Sequence, residues 1–114
     1  MATSGARGNL YSGVAIGQYL YTLQYNESIS STNYRKFTRH KLGVSESTAL
    51  TFPPEFGAIY GTGNSIFLFP NGQNKTTYYV YDISDGTWTS KKSNIPFSVN
   101  YKRNGDTYPR KWWR

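Results

Sequence analysis

The chain has no cysteine, one histidine and one methionine in 114 residues. Without cysteine there is no disulfide framework and no thiolate metal site. With His40 as the single imidazole, zinc finds too few nitrogen and sulfur ligands. Nucleophile–base dyads likewise have few members to draw on. Carboxylates are scarce, six in all: Glu27, Glu46, Glu55, Asp82, Asp85 and Asp106. Asp82 and Asp85 flank a turn, where aspartate commonly bonds its own backbone. A paired-carboxylate glycosidase stays conceivable on inventory alone. A calcium loop from Asp82, Ser84 and Asp85 lacks the bidentate closing glutamate. Long apolar runs are missing too. None approaches the ~20 residues that span a bilayer, and "MATSGARGNLYSGVAIG" has no continuous apolar stretch of the secretory kind. The expectation is a non-enzyme with no catalytic residues, no metal, no cofactor and no membrane partner.

Helical periodicity is also absent. No window carries apolar residues at i, i+3, i+4 and i+7 with caps at both ends. Aromatic residues make up 18% of the chain, against 17% charged, a balance that opposes disorder and favours strands. Alternating runs stand at "YLYTLQY" (19–25), "NYRKFTRHKL" (33–42), "AIYGTGNSIFLFP" (58–70) and "YYVYDI" (78–83). "TWTS" follows a Ser-Asp-Gly turn, and "FSVNYKR" precedes Asn104-Gly105, both hairpin signals. "GTGN" at 61–64 lacks the Lys-Ser/Thr and the helix of a phosphate-cradling loop, and reads as a β-turn. The expectation is one all-β domain of antiparallel sheets.

The runs recur in order. Gly17-Gln18-Tyr19-Leu20-Tyr21 aligns with Gly63-Asn64-Ser65-Ile66-Phe67 at an offset of 46. Tyr34 and Phe37 align with Tyr78 and Tyr81 at 44, and Phe52-Pro53 with Ile95-Pro96 at 43. A period in the forties built from short strands is the signature of a propeller blade. Tyr81-Asp82, a turn, Trp88 seven residues after the tyrosine, then Ile95-Pro96, resembles the kelch repeat. The resemblance implies one four-stranded blade per repeat, with Tyr81 in the third strand, Trp88 opening the fourth and both packed between blades. It covers 63–97 well and 17–53 weakly. "FLFPNGQ" and "LQYNES" stand where a Gly-Gly pair is usual, and Val44 or Ser45 where the first repeat's tryptophan should be.

This reading divides the chain into a first repeat (12–57), a second (58–98) and a C-terminal segment (99–114). Tyr81, Trp88 and Pro96 are its structural residues. A closed propeller takes about four to eight blades, so two need company. Either copies complete a ring, or the domain is a sandwich or barrel. Small lectins that resemble this plan close a propeller from two-blade chains.

Net charge is +7, and from Lys91 onward seven basic residues face one acid, Asp106. The C-terminal "YKRNGDTYPRKWWR" makes Tyr108, Arg110, Lys111, Trp112, Trp113 and Arg114 the binding candidates. Trp, Tyr and Arg are the usual interface anchors. The same residues suit base stacking with phosphate neutralisation, a sugar platform, or the chain's own core. A second basic patch is Arg35, Lys36, Arg39 and Lys41. Its composition, rich in Tyr, Asn, Thr and Gly and free of cysteine, resembles phage virion proteins of the tail, neck or decoration. The expectation is a structural, homo-oligomeric β protein of a virion, or of the cytoplasm that makes it, with other structural proteins as further partners. A glycan-binding lectin is the alternative, and nucleic-acid binding a third option.

Overall fold

The computed structural model describes residues 9–26 and 35–100, and every regular element among them is a strand. β1 (Asn9–Ile16), β2 (Tyr19–Asn26), β3 (Arg35–Lys41) and β4 (Glu46–Leu50) form one antiparallel sheet in chain order. β5 (Gly57–Thr62), β6 (Ser65–Pro70), β7 (Gly72–Asp82) and β8 (Thr87–Val99) form the second, again in chain order. The chain is therefore all-β, as the alternation and aromatic load predict.

The turns are chemically specified. Gly17 (φ 61°) and Gly63 (φ 38°) adopt the left-handed backbone that their two-residue hairpins require. Asp82 Oδ1 accepts from the Ser84 amide (2.9 Å), the Ser84 hydroxyl (2.7 Å) and the Asp85 amide (3.2 Å), which closes the turn between β7 and β8. The "GTGN" run reads in the sequence as a turn over residues 61–64. In the structure Gly61 and Thr62 belong to β5, and the turn is Gly63-Asn64. β1 was not among the expected strands, because Ser12 and Gly13 interrupt its apolar pattern.

Ser12 has a structural reason. Where β1 passes β5, the Ile59 amide donates to the Ser12 hydroxyl at 3.0 Å. A Cβ on Gly61 would lie 2.6–2.9 Å from Ile16 and Val14 carbons. Farther out, side chains grow. Leu23 of β2 meets Ile66 and Leu68 of β6 in the core, all three fully buried. Beyond them Phe37 of β3 meets Tyr81 edge-on at 5.0 Å and Trp88 at 5.3 Å. The Trp88 indole donates to the Thr51 carbonyl at 2.8 Å. The filling between the sheets thus thickens from β1 and β5 towards β3, β7 and β8. Burying each such large apolar side chain contributes about 1.5–3 kcal/mol.

β7 and β8 outrun β6. Their register shifts between Gly72 and Lys75 and again between Lys75 and Thr77, and such irregularities bend a ribbon. The Asn74 amide bonds the Ser98 hydroxyl at 3.1 Å, and Phe97 lies edge-on against Phe69 at 5.2 Å.

Candidate functional site

Successive side chains of a strand point to opposite faces, so each sheet has an inner face towards the other sheet and an outer face. Tyr21, Leu23 and Phe37 point inward from the first sheet; Ile66, Leu68 and Tyr81 do so from the second. The residues between them build two outer faces with different chemistry.

The outer face of the second sheet is aromatic. Tyr60 pairs with Phe67 across β5 and β6, and Tyr78 and Val80 continue the face on β7. Tyr78 stacks on Phe69 at 5.4 Å and on Phe67 at 6.2 Å, and Tyr60 meets Phe69 at 5.7 Å. Phe97 covers one end of this ladder, while Tyr60 remains 57% exposed. The outer face of the first sheet is mixed: Gly13, Ala15, Leu20 and Thr22, with His40 and Ala49, lie towards the β1–β2 turn, and Tyr11, Gln24 and Lys36 towards the other end. A Thr22 hydroxyl–His40 Nε2 hydrogen bond of 3.1 Å lies on it.

A third feature is a cleft of about 430 Å³ at one end of the sheets, bounded by Tyr25, Arg35, Phe52, Pro53, Glu55 and Phe56. Tyr25 stacks on Phe56 at 5.8 Å, and the Arg35 guanidinium lies over the Tyr25 ring, 5.3 Å from its centre. Glu55 accepts from the Tyr79 hydroxyl at 2.8 Å and pairs with Lys75 at 3.7 Å. Desolvation first, and then this bond to a carboxylate, push the Tyr79 hydroxyl above the ordinary tyrosine range. Among the described residues, no three His, Asp or Glu side chains gather as a metal site would need.

The second basic patch divides between faces. Arg35, Arg39 and Lys41 alternate on the side of Phe37, while Lys36 takes the opposite side with His40. Arg39 covers the Tyr19 ring at 4.7 Å, as Arg35 covers Tyr25. These contacts use both guanidinium groups locally, at about 0.5–1 kcal/mol each where exposed. Tyr81 and Trp88 face each other across β7 and β8 and pack between the sheets; Pro96 is exposed on β8. Tyr108, Arg110, Lys111, Trp112, Trp113 and Arg114 lie outside the described residues, as does the Asn104-Gly105 hairpin signal. The aromatic outer face was missed as a site in the sequence. Its signal was present in Tyr60, Phe67, Phe69 and Tyr78, which alternate with the core residues of the same strands.

Comparison with protein-family models, with curated proteins and with solved structures finds no match.

Proposed function

We propose that this chain is a non-enzymatic assembly protein whose copies join through the outer faces of their sheets into a ring or larger particle. One observation carries the reading: Tyr60, Phe67 and Tyr78 form an aromatic surface on a sheet whose opposite side, among the described residues, is the one that packs on the first sheet. Aromatic surfaces of that kind mark interaction sites. The thickening of the packing from β1 and β5 outward suits wedge-shaped blades, and two blades fall short of the about four to eight of a closed propeller. The C-terminal Trp112-Trp113, flanked by Arg110, Lys111 and Arg114, supplies further anchor chemistry for the joint. The compositional resemblance to phage virion proteins fits the same role, in a tail, neck or decoration component.

Size-exclusion chromatography with light scattering tests it. A mass that stays at the 13.0 kDa of one chain at all concentrations, with a cooperative melt, sinks the assembly reading. Deleting residues 110–114 tests the tail: an unchanged oligomer removes the Trp pair from the joint.

A second reading, a glycan-binding module, draws on the cleft beside Tyr25. A half-buried aromatic ring with the Arg35 cation over it, in a cleft that Glu55 also lines, suits a sugar ring with polar edges. Glycan-array binding that disappears in Tyr25→Ala favours that reading; a blank array removes it.

A further inference from the structure

The two outer faces are not independent surfaces. Counting outward from the Gly17 and Gly63 turns along the cross-strand registers, Tyr21 corresponds to Phe67, Leu20 to Ile66 and Thr22 to Leu68. On the first strands Ala15 corresponds to Gly61, and Val14 to Tyr60. On the third, His40 opposite Leu20 corresponds to Tyr81 opposite Ile66, and on the fourth Ser47 corresponds to Trp88. The inner residues of one sheet therefore match the outer residues of the other. The aromatic outer face of the second sheet is the counterpart of the inner face that carries Tyr21. The outer face of the first sheet, with Ala15, Leu20 and Thr22, is the counterpart of the inner face that carries Gly61, Ile66 and Leu68.

Resting on the assembly reading above, we infer that the joint is head-to-tail: the aromatic outer face of β5–β8 in one copy docks on the outer face of β1–β4 in a second copy. The occupant of each face is thus the unlike face of the same chain. The contact within the chain is the template, since it sets that same pair of face types against each other. There Val14 and Ile16 of β1 close on Gly61 of β5, Leu23 of β2 joins Ile66 and Leu68 of β6, and Phe37 of β3 packs on Tyr81 and Trp88. By the same registers, Tyr60 faces Ala15 at the joint, as Val14 faces Gly61 within the chain, and Tyr78 faces His40 and Ser47, as Phe37 faces Tyr81 and Trp88. Close packing depends on the match between the two surfaces, so the pair of face types that fits within the chain is the pair that fits between copies. A two-fold pairing of aromatic face with aromatic face sets like against like, a pair of faces the chain does not join, and leaves the outer face of the first sheet unmatched. A head-to-tail joint is heterologous, so each copy offers one face of each kind.

Two variants and their mixture test it by light scattering. Ala15→Glu with Ala49→Glu alters the first outer face at two exposed positions. Tyr60→Glu with Phe67→Glu alters the second. Each variant alone is expected at the mass of one chain. Mixed one to one, they are expected to form a species of two chains, because one intact face of each kind remains. If the Ala15/Ala49 variant keeps the wild-type mass, or if the mixture stays at one chain, the head-to-tail joint is overturned. A wild-type chain that is itself monomeric sinks the assembly reading first, and this inference with it. Near-UV circular dichroism checks folding; should a double variant fail to fold, the single changes Ala15→Glu and Tyr60→Glu carry the same test at exposed positions.

Discussion

Tyr81 and Trp88 stand directly opposite each other on β7 and β8, with ring centroids 5.0 Å apart, and both rings close on Phe37 of the other sheet. This three-ring cluster couples the sheets where they are farthest from β1 and β5. Phe37 is 1% exposed, so Phe37→Ala is expected to cost about 3–5 kcal/mol, read from urea unfolding. A double-mutant cycle between Phe37 and Trp88 is expected to return about 0.5–1.5 kcal/mol of coupling. A coupling of zero would show that the rings share space without sharing energy.

Gly57 and Gly61 sit in one strand and should respond differently to alanine. A Cβ on Gly57 would run into the backbone of Phe69 and Pro70, which cannot move without breaking the β5–β6 ladder. A Cβ on Gly61 would meet side-chain carbons of Ile16 and Val14, which can yield. Gly61→Ala is expected to cost about 1–3 kcal/mol and to be partly rescued by Ile16→Ala. Gly57→Ala should destabilise more and find no rescue in side-chain truncation. Equal losses at the two glycines would contradict this geometry.

The turn aspartate gives an acid signature. The Ser84 hydroxyl, followed by the Asp85 amide, holds Asp82 below the ordinary carboxylate value of 3.8. A depressed carboxylate contributes stability above its unfolded pKa and loses it as pH falls through the folded one. The melting temperature of Asp82→Asn should therefore lie below wild type at neutral pH, and the gap should close on acidification below 3.8. A gap that does not change with pH rules out this source of stability.

Tyr81 gives the alkaline counterpart. Burial first, and then the neighbouring Tyr21, push its hydroxyl above 10.0. An acid whose folded pKa is raised contributes stability that is full below the unfolded value and declines as pH rises past it. Tyr81→Phe should flatten the loss of melting temperature above pH 10.0. Tyrosinate absorbance should show one late-titrating group fewer in the variant.

Much of the frame is legible in the residues themselves. The alternation around Leu23, Phe37, Ile66 and Tyr81 marks strands, and the glycine turns and the Asp82 turn mark where they reverse. β1 is not legible, because Ser12, which breaks its apolar pattern, serves a close approach to Ile59 of β5, 47 residues away along the chain. The basic cluster Arg35, Lys36, Arg39 and Lys41 looks like one patch in the sequence and divides by face in the fold. The 44-residue match of Phe37 with Tyr81 joins residues that meet across the sheets, while the register counterpart of Tyr81 is His40.

Period-two alternation is a local property, so the sequence by itself determined that this chain forms strands with two chemically distinct faces. It does not say which face is covered. That choice rests on contacts between residues far apart in the chain, such as Phe37 with Trp88 or Ile59 with Ser12, which exist only once the sheets have met. The tertiary structure decided that Tyr21, Leu23, Ile66 and Leu68 are buried, and so that Phe67, Tyr78 and Tyr60 form the outward face.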